Sequence, residues 1–136
     1  MSRLYLDANV VIRLIEDEPA RRAAVWDILA AHGGPDRMIV VSDLVRLECR
    51  VKPMAAGDAA LLDPYARYFA SPDVTVITLP TPVYDRATEI RARSRYGLAD
   101  ALQFAAAIES GCDSSVTGDV RLAGFSDIPV VLVGPA

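Results

Sequence analysis

Short β-prone runs alternate with longer segments of helical period along the whole chain, and this alternation limits the possible fold more than any other feature. The runs are RLYLD (3–7), MIVV (38–41), VTVITL (74–79), SSVT (114–117) and PVVLV (129–133). They are short, mostly apolar or β-branched, and bounded by turn residues, as strands are. Residues 8–15 (ANVVIRLI) start a helix, and 20–31 continue in helical period with Ala24, Ile28 and Ala31 on one face and Trp26 assigned to packing. Gly33-Gly34-Pro35 breaks that segment. Ser42 or Asp43 caps a helix that reaches about Lys52, with Pro53 beyond it. Residues 57–70 are again helical, and Pro64 fits the first turn of a second segment better than an interior. Residues 82–95 and 98–110 complete the helices, the last closed by Gly111. Strands separated by helices give an α/β fold with a mainly parallel sheet and right-handed crossovers. The 136 residues fit one domain spanning 1–136, with no internal repeat and no long linker.

In an open parallel sheet, ligands bind beyond the C-terminal ends of the strands. Asp7 ends the first strand, Ser42 the second, and Thr117 the fourth, with Gly118 and Asp119 just after. Glu48 lies inside the apolar helix LVRLECRV, and Asp100 one turn into LADALQFAAAI. A carboxylate turned toward a core is costly unless it is paired or metal-bound. Each acid also has a plain local role open to it. Asp7 and Asp119 suit turns or helix caps, Asp100 suits the positive end of a helix dipole, and Glu48 suits a solvated face with Arg46 and Arg50 nearby. Four acids at one sheet edge nevertheless match the oxygen-donor preference of a hard cation such as Mg2+.

Other chemistries lack their parts. His32 is the only histidine and falls in an expected surface loop, which removes His-based zinc and two-His iron sites and the usual general base. Metal-assisted hydrolysis is the chemistry that remains. Cys49 and Cys112 are far apart and read as reduced thiols. The net charge of −4 weighs against binding nucleic acid through a broad basic surface, but not against a metal-bridged acidic site, whose ions reverse the local sign. No apolar run reaches the roughly 18 residues of a membrane span. The opening MSRLYLDANVV has an acid inside its apolar stretch and no small-residue cleavage site, so the expected location is cytoplasmic with no membrane partner.

Taken together, the motifs resemble those of the PIN domains. LYLDANVVIRL, with Asp7 and Asn9, is similar to their opening motif. SDLVRLE is similar to the second, a serine followed by a helix bearing a glutamate, and LADALQFAAAIESGCD to the third. SSVTGD is similar to the fourth, a strand ending T-x-D. Small members of this length are mostly VapC-type toxins of toxin–antitoxin pairs. The resemblance implies a three-layer α/β/α fold with a five-stranded, mainly parallel sheet. It also implies Mg2+ or Mn2+ dependence, endonucleolytic cleavage of an RNA substrate, a cognate antitoxin protein and a homodimer. Carried onto this chain, Asp7, Glu48, Asp100 and Asp119 become the catalytic, metal-binding acids, and Asn9, Ser42 and Thr117 the residues that orient them. Gln103 stands where many members have histidine, and Gly118 where many have asparagine.

Arginine outnumbers lysine 13 to 1. Arg86, Arg91, Arg93 and Arg95 precede the Asp100 helix, and the last three are candidate RNA contacts, balanced against a solvated helix face. On a helix, Arg91 and Arg95 share a side that Arg93 does not, so not all three contact one phosphate track. Tyr65, Tyr68 and Phe69 are assigned to core or interface rather than to base stacking. Rival families fit less well. A receiver domain needs a lysine after its last strand, and the single lysine is Lys52; a D-x-D phosphatase needs an acid where Asn9 stands. A PIN fold that binds RNA or protein without cutting is the remaining alternative.

Overall fold

The computed structural model describes residues 2–134. Five parallel strands form one sheet: β1 (Arg3–Leu6), β2 (Met38–Ser42), β3 (Val74–Ile77), β4 (Ser114–Thr117) and β5 (Val130–Leu132). Six helices flank it: α1 (Ala8–Glu16), α2 (Pro19–Gly33), α3 (Asp43–Ala55), α4 (Ala59–Ala70), α5 (Thr81–Arg93) and α6 (Leu98–Glu109). A short 3-10 helix, Val120–Leu122, follows β4.

The strand order is β3-β2-β1-β4-β5. The chain therefore starts at the sheet's centre, winds outward to one edge, then crosses to β4 and winds to the other. Strand order reverses between β1 and β4, and the connections leaving these two strands diverge. The crevice beyond their C-terminal ends is where such sheets bind ligands. The register Leu6↔Val116 and the hydrogen bond from Asp7 N to Val116 O (2.9 Å) hold the two ends level.

The strands are buried because they are apolar on both faces, as a covered parallel sheet requires. Leu4, Tyr5, Leu6, Val40 and Val41 are almost fully enclosed. Helix α6 is buried over every residue from Ala101 to Ala107, and four alanines there let it lie close against its neighbours. Phe104 stacks on Phe125 at 3.9 Å between ring centres, and Tyr96 packs against both rings. This aromatic cluster ties the α5–α6 turn and α6 to the segment after the 3-10 helix.

Several expectations need correction. Pro53 lies inside α3 rather than beyond it, and Pro64 lies inside one continuous α4. Asp58 caps α4 by accepting from Leu61 N (3.0 Å), and Tyr65 is fully buried. Cap and packing together outweigh the one backbone hydrogen bond that a helical proline removes. On α2 the buried residues are Val25 and Leu29, not Ala24 and Ala31, which are exposed. Trp26 is 39% exposed with the Arg37 guanidinium over its ring, so it is a surface residue rather than packing. His32 is exposed as expected, but in the last turn of α2 rather than in a loop, and both cysteines are free.

Candidate active site

Asp7 immediately follows β1 and caps α1. Its Oδ1 accepts from Ala8 N (2.7 Å), and its Oδ2 accepts from Thr117 Oγ1 (2.9 Å) and Asn9 Nδ2 (3.1 Å). Asn9 also reaches β4: its Nδ2 lies 3.2 Å from Thr117 Oγ1, and its Oδ1 accepts from Gly118 N (2.7 Å). Asn9 and Thr117 thus orient Asp7 across the crevice, as the motif resemblance implies. Asp7 fills the cap role and the cleft role at once. Burial pushes its carboxyl above the ordinary range, against the lowering pull of Thr117, and nearby Asp100 adds to the rise.

Glu48 is half-buried on α3, and Gln103 Nε2 donates to its Oε1 at 2.6 Å. Gln103 is held in turn by the buried Tyr5 hydroxyl, which bonds its Oε1 and lies 2.8 Å from Ser42 Oγ. Because the amide oxygen only accepts, it takes the tyrosine proton, which fixes the amide nitrogen toward Glu48. Ser42 therefore acts on Glu48 through Tyr5 and Gln103, and touches no acid directly. Arg46 and Arg50, the neighbours expected to solvate Glu48, bond to Asp43 Oδ1 and Arg46 O instead. Burial raises the Glu48 carboxyl, and the charges of Asp7 and Asp100 raise it further.

Asp100 occupies the first turn of α6. Asp119 caps the 3-10 helix by accepting from Arg121 N (3.0 Å), and it takes both Nε (3.1 Å) and a terminal nitrogen (2.5 Å) of the Arg121 guanidinium. That guanidinium also lies 3.9 Å from Asp100 Oδ2. Arg121 holds the Asp119 carboxyl below the usual range. The charge of Asp100 reaches both Asp7 and Glu48, that of Asp7 reaches Glu48, and Arg121 lies between Asp119 and Asp100.

The donor set is all carboxylate oxygen, which fits a hard cation such as Mg2+ or Mn2+. Among the described residues no three acidic, thiol or imidazole groups stand close enough to enclose one ion in this conformation. Mg2+ keeps several waters and needs only one or two direct carboxylates, so the spacing is compatible with it.

Raised carboxyls carry a consequence for stability. Asp7 and Glu48 bind protons more tightly folded than unfolded, so their contribution is full below the ordinary carboxylate pKa and is lost as pH rises through the raised folded values. Asp119 behaves oppositely, but in the window below about pH 4. In the presence of chelator, urea unfolding should show stability falling as pH rises above about 4, the ordinary carboxylate range, and Asp7→Asn should flatten that fall.

Of the arginines singled out in the sequence, Arg93 is paired with Asp127 and Arg91 is exposed on α5, but Arg95 lies beyond the helix, which ends at Arg93, so Arg91 and Arg95 do not share a helix side. Tyr5, Arg13, Arg121 and Gln103 join the site without having been expected there. Three of them carry a signal in the sequence: Tyr5 shares a strand face with Asp7, Gln103 follows Asp100 by three, and Arg13 follows Asn9 by four.

A family model described as PIN domain matches residues 4–128. The chain belongs to the PIN domain family. Solved structures share its fold. The VapBC2 complex of Rickettsia felis, bound to a promoter DNA fragment, superposes with TM-score 0.75 at 16% identity, covering 94% of this chain and 96% of that one. A toxin–antitoxin complex from Klebsiella pneumoniae gives TM-score 0.72 at 19% identity, with coverages of 98% and 99%. VapC20 of Mycobacterium tuberculosis, a Sarcin-Ricin loop cleaving toxin, gives 0.68 at 21%, with coverages of 93% and 98%. At these identities the likeness establishes the shared PIN fold. The chain matches no curated protein sequence. Among the described residues no helix is long and apolar enough to cross a membrane.

Proposed function

We propose that this PIN domain is a Mg2+- or Mn2+-dependent endoribonuclease and the toxin of a toxin–antitoxin pair. What supports the reading is that Asp7 and Asp119 follow β1 and β4 at the crevice, that the charge of Asp100 reaches Asp7 and Glu48, and that Arg121 lies between Asp119 and Asp100. Asp7, Asp100, Asp119 and Glu48 would hold the metal, one or two of them directly and the others through water. When bound, the metal supplies charge neutralisation at the scissile phosphate and a more acidic water. Asn9 and Thr117 keep Asp7 aimed into the crevice, and the Tyr5–Gln103 pair does the same for Glu48. Residues fixed in this way incur little reorganisation when substrate arrives.

Water oxygen forms the new bond to phosphorus, the bond to the 3′ oxygen breaks, and that oxygen takes a proton. The products are 5′-phosphate and 3′-hydroxyl ends. End-labelling of digested RNA checks this. A 2′,3′-cyclic phosphate would mean attack by the RNA's own hydroxyl, and the scheme would fail.

The toxin part of the reading has its own support in the surface. Leu47, Val51 and Met54 on α3 are each more than half exposed. Beside this ridge runs a groove of about 600 Å3 whose walls include Ile12, Leu47, Glu48, Val51 and Leu61. An antitoxin segment with an apolar face would fill the groove and could place a basic side chain at Glu48, competing with metal. The structures from Rickettsia felis and Klebsiella pneumoniae are complexes of a toxin with its antitoxin.

A further inference from the structure

Among the described residues, one arginine near the acids, Arg13, forms no ion pair. Arg13 projects from α1 one turn after Asn9. One terminal nitrogen donates to Gly134 O at 2.5 Å. The other lies over Gly118, where a Cβ would come within 2.5 Å of it and within 3.3 Å of Asn9 Oδ1. Glycine at 118 thus leaves a seat that the guanidinium fills. The departure from the family's asparagine at this position and the placement of Arg13 are one feature.

Three other arginines are committed to acids: Arg121 to Asp119, Arg93 to Asp127 and Arg86 to Glu109. Arg13 appears in none of the ion pairs formed among the described residues. It is half-buried, and none of its nitrogens is both enclosed and unbonded, so its spare donors keep contact with solvent. A guanidinium anchored at one nitrogen and open at the others has the fork geometry that grips a phosphate, with little side-chain freedom left to lose.

We propose that Arg13, seated in the Gly118 cradle, binds a backbone phosphate of the RNA next to the scissile one. This rests on the ribonuclease reading and deepens it: α1, rather than the arginines of α5, supplies the fixed cationic contact. The acids of the crevice repel the nucleic acid backbone, and a fixed cation at their margin offsets that repulsion and sets which phosphate lies over them. The contact carries no base information, so it sets position and register rather than sequence.

The test is RNA binding by fluorescence anisotropy over a range of salt, with a labelled single-stranded oligonucleotide and Mg2+. All proteins carry Asp100→Asn to suppress cleavage. Arg13→Gln should weaken binding about tenfold, as expected for one charge-assisted contact. It should also reduce the salt slope by about 0.7, the value for one phosphate on a single strand. Gly118→Ala should do the same with the arginine still present, because its Cβ evicts the guanidinium. That variant keeps the test valid if Arg13→Gln unfolds. A purely structural role for Arg13 would lower melting temperature without changing the salt slope. Wild-type slope and affinity in both variants would overturn the proposal and leave the ribonuclease reading intact. Absence of RNA binding by the Asp100→Asn parent would sink both.

Discussion

Asp7→Asn is expected to reduce RNA cleavage by at least two to three orders of magnitude while leaving the protein folded. Asn keeps an oxygen for the α1 cap at Ala8 N, so the helix start survives. What is lost is the negative charge at the point where β1 and β4 diverge. Several kcal/mol of charge stabilisation at the phosphate depend on a properly held metal, and each ~1.4 kcal/mol is a factor of ten in rate. Cleavage rate at saturating RNA, with circular dichroism to confirm the fold, is the measurement. A rate within a few-fold of wild type would take Asp7 out of the chemistry and reduce it to a helix cap.

The largest effect on stability is expected at Phe104, far from any reacting atom. Its ring is 2% exposed, stacked on Phe125, and touched by Tyr96. Phe104→Ala leaves a cavity in a packed aromatic cluster and should cost about 3–5 kcal/mol. Since whole domains are stable by only about 5–15 kcal/mol, this is a large share of the total. The same cluster fixes α6, which carries Asp100 and Gln103, against the segment after Asp119. Activity should therefore fall at temperatures where the variant is still mostly folded. Equilibrium urea unfolding and a temperature series of cleavage rates check the two parts separately. A loss below 1 kcal/mol would mean the cluster is not what holds α6 in place.

The strands were legible because each is short, apolar and bounded by turn residues. The site was legible because three of its four acids follow a strand end or open a helix, where position along the chain dictates position in space. Glu48 was identified by its cost: a carboxylate in the middle of an apolar helix needs a partner, and Gln103 is that partner. The errors have physical reasons. Both helical prolines read as boundaries because local chemistry disfavours them; in α4 the cap at Asp58 and the burial of Tyr65 override that preference at Pro64, and in α3 Pro53 is itself buried near the helix end. The buried side of α2 was misjudged because alanine serves equally on either face of a helix. The cationic residues of α5 drew attention by being clustered in sequence, while Arg13 stood alone. Its meaning depends on Gly118 and Gly134, more than a hundred residues away along the chain. No local pattern carries that information.

The central claim is that these acids make a metal-dependent ribonuclease site. The most direct measurement is cleavage of single-stranded RNA by the wild-type protein in Mg2+, in excess chelator, and after Mn2+ is added back. The account predicts cleavage with Mg2+, none with chelator, and recovery with Mn2+. Equal cleavage in the presence of chelator, or none under any of the three conditions, would contradict it.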